Sequence, residues 1–115
     1  MLLTDRDQLN DPTNLLEIGV NGSTISDLSP FAEATNLRSI MFNDTPVSDL
    51  SPLSSLKKLE FVVLARTKVT DLTPLMDLPN LSKVDVDQTP VRRDQIAELQ
   101  RALPNCSING TPLNR

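Results

Sequence analysis

Three aspartates at a fixed interval, Asp27, Asp49 and Asp71, are the nearest thing to a chemical site in this chain of 115 residues. If successive units stack about 4.8 Å apart in the pairing direction, the three carboxylates form a row able to hold Ca²⁺, a row that Asp5 would extend. A second reading needs no ion. An aspartate at a turn accepts the backbone N–H two residues on, so a repeated turn calls for a repeated aspartate. The turn reading is favoured, and no metal or cofactor is expected.

Catalysis has little to work with. There is no histidine, which removes the commonest general base and the commonest metal ligand together. Cys106 is the one cysteine, so no intrachain disulfide can form, and it reads as a small buried apolar residue. No glycine-rich phosphate loop is present, and no serine and lysine are paired at a telling spacing. The chain is not expected to be an enzyme. A net charge of −4 and a pI near 4.6 argue against nucleic acid or anionic lipid as partners, since both require a basic face. No apolar run approaches the ~20 residues that span a membrane, and residues 1–5 lack the pattern of a signal peptide. The expected setting is cytoplasmic.

The aspartates are positioned by an internal repeat. Leu15, Leu37, Leu59 and Leu81 are 22 residues apart, as are Pro30, Pro52 and Pro74. A fixed period of this length marks a stacked solenoid, in which each unit buries its apolar face against its neighbours. In the first half of each unit, apolar residues fall at frame positions 1, 4 and 6. In repeat two these are Leu37, Ile40 and Phe42; in repeat three, Leu59, Val62 and Leu64; in repeat four, Leu81, Val84 and Val86. The pair two apart has strand periodicity, so one short strand per repeat is expected, paired in parallel with its neighbours. Ser23, Thr45, Thr67 and Thr89 follow, read as an inward column of hydroxyls that bond backbone groups where the strand turns. The second half opens with Ser29-Pro30, Ser51-Pro52 and Thr73-Pro74, each read as an N-cap before a proline at the first helical position. The run that follows is short enough for one helical turn.

Both ends depart from the frame. Residues 1–13 read as a degenerate half-repeat, either an N-terminal cap or the start of a seam within a longer array, with the cap favoured. Residues 14–91 hold the repeats. Residues 92–108 break the pattern: Ile96, Leu99 and Leu103 recur at helical spacing, with Asp94 as an expected N-cap and Pro104 past the end. This predicts an amphipathic helix closing the stack, with Cys106-Ser107-Ile108 adding a last strand. Residues 109–115 read as a polar tail.

The pattern Leu-x-x-Leu-x-Leu-x-x-(Asn/Thr)-x-Ile-x-Asp-Leu-x-Pro-Leu, carried over residues 14–91, resembles the leucine-rich repeat of the bacterial internalin-like class. The closing Ala102-Leu103-Pro104-Asn105-Cys106-Ser107-Ile108 is similar to the end segment of such proteins. The resemblance implies an α/β fold: a solenoid with a short parallel sheet on its concave face, 3-10 or α turns on the convex side and a C-terminal capping helix. It also implies that the concave face binds protein. Two departures stand out. The usual Asn column is here Ser23, Thr45, Thr67 and Thr89, and residues 1–13 lack the helical cap of secreted internalins, which weakens the carry-over of a cell-surface role.

If positions 1, 4 and 6 point inward, the residues between them face out. Met41, Phe61, Val63 and Ala65 then form an apolar centre on a face that the fold does not require to be apolar. Glu17, Arg38, Asp44, Arg66, Lys83, Asp85 and Asp87 surround it. An apolar middle with a charged rim is the anatomy of a protein interface. The competing readings are β-propensity alone, or cover by another copy of the same chain. The expected function is a non-catalytic, monomeric module that binds a protein of unknown identity. Alternatives are an immunity protein against a bacterial toxin, a structural segment of a longer repeat protein, and a surface adhesin.

Overall fold

The computed structural model describes residues 15–113. The expected half-repeat at residues 1–13 lies outside the described residues. Five three-residue strands form one parallel sheet in sequence order: β1 (Glu17–Gly19), β2 (Ser39–Met41), β3 (Phe61–Val63), β4 (Lys83–Asp85) and β5 (Ser107–Asn109). The register is a strict 22-residue step through the first four strands, with Ile18, Ile40, Val62 and Val84 in one row. The last step is two residues longer, pairing Val84 with Ile108, because a helix replaces the short turn of the earlier repeats.

The inward positions behave as the frame requires. Leu37, Ile40 and Phe42, then Leu59, Val62 and Leu64, are fully buried. From the other side Leu28, Leu50 and Leu72 close the core, with Leu53, Leu56, Leu75 and Leu78. Each such side chain contributes about 1.5–3 kcal/mol by leaving water. Leu15, Ile18 and Val20 of repeat one are only partly buried. The hydroxyl column works within each repeat: Thr45, Thr67 and Thr89 are buried, and their Oγ1 groups donate to Phe42 O, Leu64 O and Val86 O at 2.7, 2.9 and 2.7 Å. These carbonyls lie just where the strand has ended and the sheet no longer supplies a donor.

The convex side carries three 3-10 turns, Ser29–Phe31, Ser51–Leu53 and Thr73–Leu75. The expected N-caps are corrected by one position. Ser29, Ser51 and Thr73 are the first residues of their turns, Leu28, Leu50 and Leu72 occupy the cap position, and none of these leucines caps with its side chain. The capping oxygen comes from one residue further back. Asp27, Asp49 and Asp71 Oδ1 each accept the backbone N–H of Ser29, Ser51 and Thr73 at 2.9 Å. The i to i+2 reach of an aspartate is what makes it the better cap here.

The closing helix, α1 (Arg93–Ala102), buries Leu99 against the core, with Ile96 and Leu103 half-buried beside it. Its cap position is held by Arg92, so Asp94 is not the N-cap expected from the sequence. Asp94 sits in the first turn, where a carboxylate still favours the positive end of the helix dipole, and its Oδ1 accepts Gln95 N–H at 2.9 Å. Gln95 fixes the helix to the stack: its Oε1 accepts the N–H of Leu72 at 2.8 Å. Gln100 Nε2 donates to Leu103 O and Cys106 O at 3.2 and 2.8 Å, holding the bend into β5. No helix among the described residues is long and apolar enough to cross a membrane.

Candidate functional site

Strand alternation places two rows on the open face of the sheet. One holds Glu17, Ser39, Phe61, Lys83 and Ser107; the other holds Gly19, Met41, Val63, Asp85 and Asn109. The rows follow from period 2: with Ile18, Ile40, Val62 and Val84 turned to the core, their neighbours on either side must face out. Phe61 is 42 % exposed and Met41 39 % exposed, large values for residues whose strand neighbours Ile40 and Val62 are fully buried. Met41 has room because its neighbour across β1 is a glycine; a Cβ on Gly19 would sit 3.7 Å from Met41 Cε. Val63 is half-buried between the exposed side chains. The structure thus brings Met41, Phe61 and Val63 together at the middle of the face.

Ala65 does not join them. It is 4 % exposed, because its column does a different task. Asn21 Oδ1 accepts the backbone N–H of Asn43 at 2.8 Å, and Asn43 Oδ1 accepts that of Ala65 at 2.8 Å. Asp87 Oδ1 accepts Thr111 N–H at 3.0 Å. These side chains run along the stack and bond the next repeat. The sequence frame assigns Asn21 and Asn43 to the outward set; the recurrence of asparagine at this 22-residue step is the signal that identifies them as a ladder.

Around the apolar centre, Glu17, Arg38 and Lys83 are exposed. Among the described residues two ion pairs form, Arg66 with Asp44 and Arg92 with Asp94. The first pair is bidentate: Arg66 Nε and Nη2 donate to Asp44 Oδ1 and Oδ2 at 2.5 and 2.9 Å. The hydrogen bond from Arg66 holds the Asp44 carboxyl below the usual carboxylate range, and the same bond raises the guanidinium. Both residues sit in the left-handed region, with φ of 60° and 57°. Gln88 shares that conformation at 54°, and Gly22 at 71°, so one column of the stack turns the chain left-handed in every repeat. Asp85 is half-buried, and its Oδ1 accepts Asp87 N–H at 3.0 Å. Of the expected rim, then, Asp44 and Arg66 engage each other and Asp85 and Asp87 hold the turn after β4.

The aspartate column on the other side is accounted for by its turns. The Asp27 and Asp71 carboxyls are lowered by hydrogen bonds from Ser29 and Thr73, first from the hydroxyl and then from the backbone; for Asp49 the backbone bond from Ser51 leads. Ser29 Oγ and Thr73 Oγ1 donate to the same Oδ1 at 2.6 Å. Among the described residues no group of three His, Cys, Asp or Glu side chains is placed to hold a metal ion. Cys106 is buried with a free thiol that burial pushes up.

No family model matches the chain, and no curated protein matches it. Solved structures do. Internalin C2 from Listeria monocytogenes superposes with a TM-score of 0.75 at 21 % identity, covering 90 % of this chain and 45 % of that one. A leucine-rich-repeat protein from Leptospira interrogans gives 0.76 at 24 %, covering 84 % of this chain and 25 % of that one. Internalin F from Listeria monocytogenes gives 0.62 at 23 %, covering 97 % and 39 %. The fold is therefore a leucine-rich-repeat solenoid of internalin-like type. The chain spans between a quarter and just under half the length of these three.

Proposed function

We propose that this solenoid is a non-catalytic module that binds a protein through its concave strand face. One observation carries the reading: two large apolar side chains, Met41 and Phe61, stand exposed at the centre of a sheet face whose alternate positions are sealed in the core. Exposed apolar side chains grouped inside a charged border are what a partner desolvates first. Glu17, Arg38 and Lys83 supply that border with side chains outside the ion pairs formed among the described residues; Asp44, Arg66, Asp85 and Asp87 shape the adjoining edge. The fold adds weight, since a solenoid offers a broad, rigid surface set by its repeats. A non-catalytic role is supported by a chain without histidine and by carboxylates already engaged as turn caps.

The test is capture from the native cell with the intact protein and the Met41→Asp/Phe61→Asp variant side by side. Both positions are exposed, so the variant should keep its circular dichroism and melting temperature. A protein held by the intact chain and lost by the folded variant is the expected result. Equal capture by both would refute the concave-face reading.

A further inference from the structure

We propose that the Asn109–Gly110 step, on the free edge of the sheet, is a site of spontaneous deamidation, and that the same dipeptide at Asn21–Gly22 is shielded from the reaction by the repeat. The chemistry does not depend on what the concave face binds. What decides it is the direction in which the backbone ladder points the two glycine N–H groups.

An asparagine followed by glycine carries its own nucleophile, because no side chain on the glycine hinders ring closure. The glycine nitrogen attacks Cγ of the asparagine. The N–Cγ bond forms, the Cγ–Nδ2 bond breaks, and ammonia leaves with the proton from the glycine nitrogen. Water then opens the cyclic imide at either carbonyl and leaves aspartate or isoaspartate. No other reagent is consumed. The chain has two such dipeptides, Asn21–Gly22 and Asn109–Gly110. All four residues are exposed, so access to water does not separate the two steps. Hydrogen bonding does.

In a parallel ladder, alternate residues bond to neighbours on alternate sides. In the first repeat, Val20 N–H and Gly22 N–H point into the sheet and donate to Met41 O and Asn43 O at 2.9 and 2.8 Å. The Asn21 side chain is held as well, since its Oδ1 accepts Asn43 N–H at 2.8 Å. At the other end of the stack the alternation falls the opposite way. Ser107 N–H donates inward to Ser82 O, while Asn109 O and Thr111 O accept Val86 N–H and Gln88 N–H. The intervening Gly110 N–H therefore faces the open edge. Among the described residues it has no acceptor, and the Asn109 side chain makes no hydrogen bond. For Asn21 to react, the nucleophile must leave Asn43 O and the amide must leave Asn43 N–H. For Asn109, the rotation that brings Gly110 N to Cγ displaces one bond, from Val86 N–H to Asn109 O at 2.9 Å. The extra bond that Asn21 must open slows it about five-fold, since a five-fold difference, about 1 kcal/mol, is the net worth of one hydrogen bond.

The product bears on the last rung of the sheet. Asn109 pairs in register with Asp85, so a carboxylate at this position sets two like charges side by side on adjacent strands. Isoaspartate also adds a methylene to the main chain, and the backbone has no slack for it. A Cβ on Gly110 would overlap the Asp87 backbone and lie 2.8 Å from Asp85 Oδ1. The lengthened chain cannot keep the bonds to Val86 N–H and Gln88 N–H together, so ageing at this one residue opens β5 from its far end.

The test is peptide mapping by mass spectrometry of protein aged in warm, mildly alkaline buffer, both folded and in denaturing urea. In the folded protein the peptide holding Asn109 should gain the amide-to-acid mass at least about five-fold faster than the peptide holding Asn21. In urea, where the ladder is gone and both asparagines precede glycine, the two rates should converge. Asn109→Ser alters an exposed side chain and should keep the melting temperature while its peptide no longer converts. Equal rates in the folded protein, faster conversion at Asn21, no conversion at Asn109, or a difference equally large in urea overturns the proposal. So does conversion that persists in the Asn109→Ser peptide.

Discussion

The left-handed column makes opposite demands on two of its members. Gly22, at φ 71°, adopts this region without steric cost, whereas Gln88, at φ 54°, adopts it against its own Cβ. For a residue with a side chain the left-handed conformation costs about 1–2 kcal/mol. Replacing Gln88 by glycine removes that cost and returns about 0.5–1 kcal/mol through the greater freedom of glycine in the unfolded chain. The net expectation is a stabilisation of about 0.5–1 kcal/mol, or a melting temperature about 2–6 °C higher for a domain of this size. Nothing else should be lost. Gln88 is exposed, and the group in use is its backbone N–H, which donates to Thr111 O at 2.8 Å. The control is Gln88→Ala, which keeps a Cβ and should change stability by less than about 0.5 kcal/mol. The mirror experiment is Gly22→Ala. A Cβ there would meet no atom within 4 Å, so its expected cost of about 1 kcal/mol is conformational alone. Urea and thermal unfolding of the three variants decide the matter. If Gln88→Gly melts no higher than Gln88→Ala, or Gly22→Ala is neutral, the left-handed turn is not what sets stability in this column.

Thr67→Val keeps the shape of a buried side chain but leaves Leu64 O without the 2.9 Å bond from Oγ1; it should cost about 1–2 kcal/mol in the urea midpoint, while Thr67→Ser should retain most of that bond's contribution. The aspartate column gives an acid limb. The Asp27, Asp49 and Asp71 carboxyls are lowered in the folded state, so they bind protons more readily when unfolded. Their contribution is present above the ordinary carboxylate value near pH 4 and is lost as the pH falls through the lowered folded values. The triple substitution Asp27→Asn/Asp49→Asn/Asp71→Asn preserves an accepting oxygen and removes the titration, so the urea midpoint should fall less steeply below pH 4; an unchanged slope would assign the acid limb to other groups.

The strands, the core and the aspartate turns were readable because a repeat reports each position several times over. Leu37, Leu59 and Leu81 sit in one column, and a column of leucine has one physical reading. Positions of mixed composition were harder. The left-handed turn shows its nature in Gly22, but Asp44, Arg66 and Gln88 conceal it, since each holds the conformation because its repeat neighbours impose it. Strand alternation extended past Gly19 and Met41 turns Asn21 and Asn43 outward, but the three-residue strands have already ended there. Ala65 hid the ladder further by supplying no side-chain acceptor. The caps were displaced by one residue because serine before proline is a common helix start; the reach of each aspartate to the N–H two residues on was readable, but not that it takes the capping task from the serine or threonine. The apolar centre followed from alternation alone, and Met41, Phe61 and Val63 stand there together. The rim was less legible, because the bond between Arg66 and Asp44 depends on a backbone turn that neither residue announces.

The two-residue lengthening at the last strand has a mechanical side. Up to β4 every rung is joined to the next by the same parallel bonds at the same step, so neighbouring rungs are nearly interchangeable. At β5 the step changes, and Gln95 ties the closing helix back to Leu72, inside the third repeat. Pulled from its two ends, such a chain would not yield evenly. The uniform rungs would peel from the side of β1, each releasing about 75 Å of extended chain for its 22 residues. The segment from the third repeat to β5 would give way last and as one piece. The molecule is a zipper with its stop sewn in at one end.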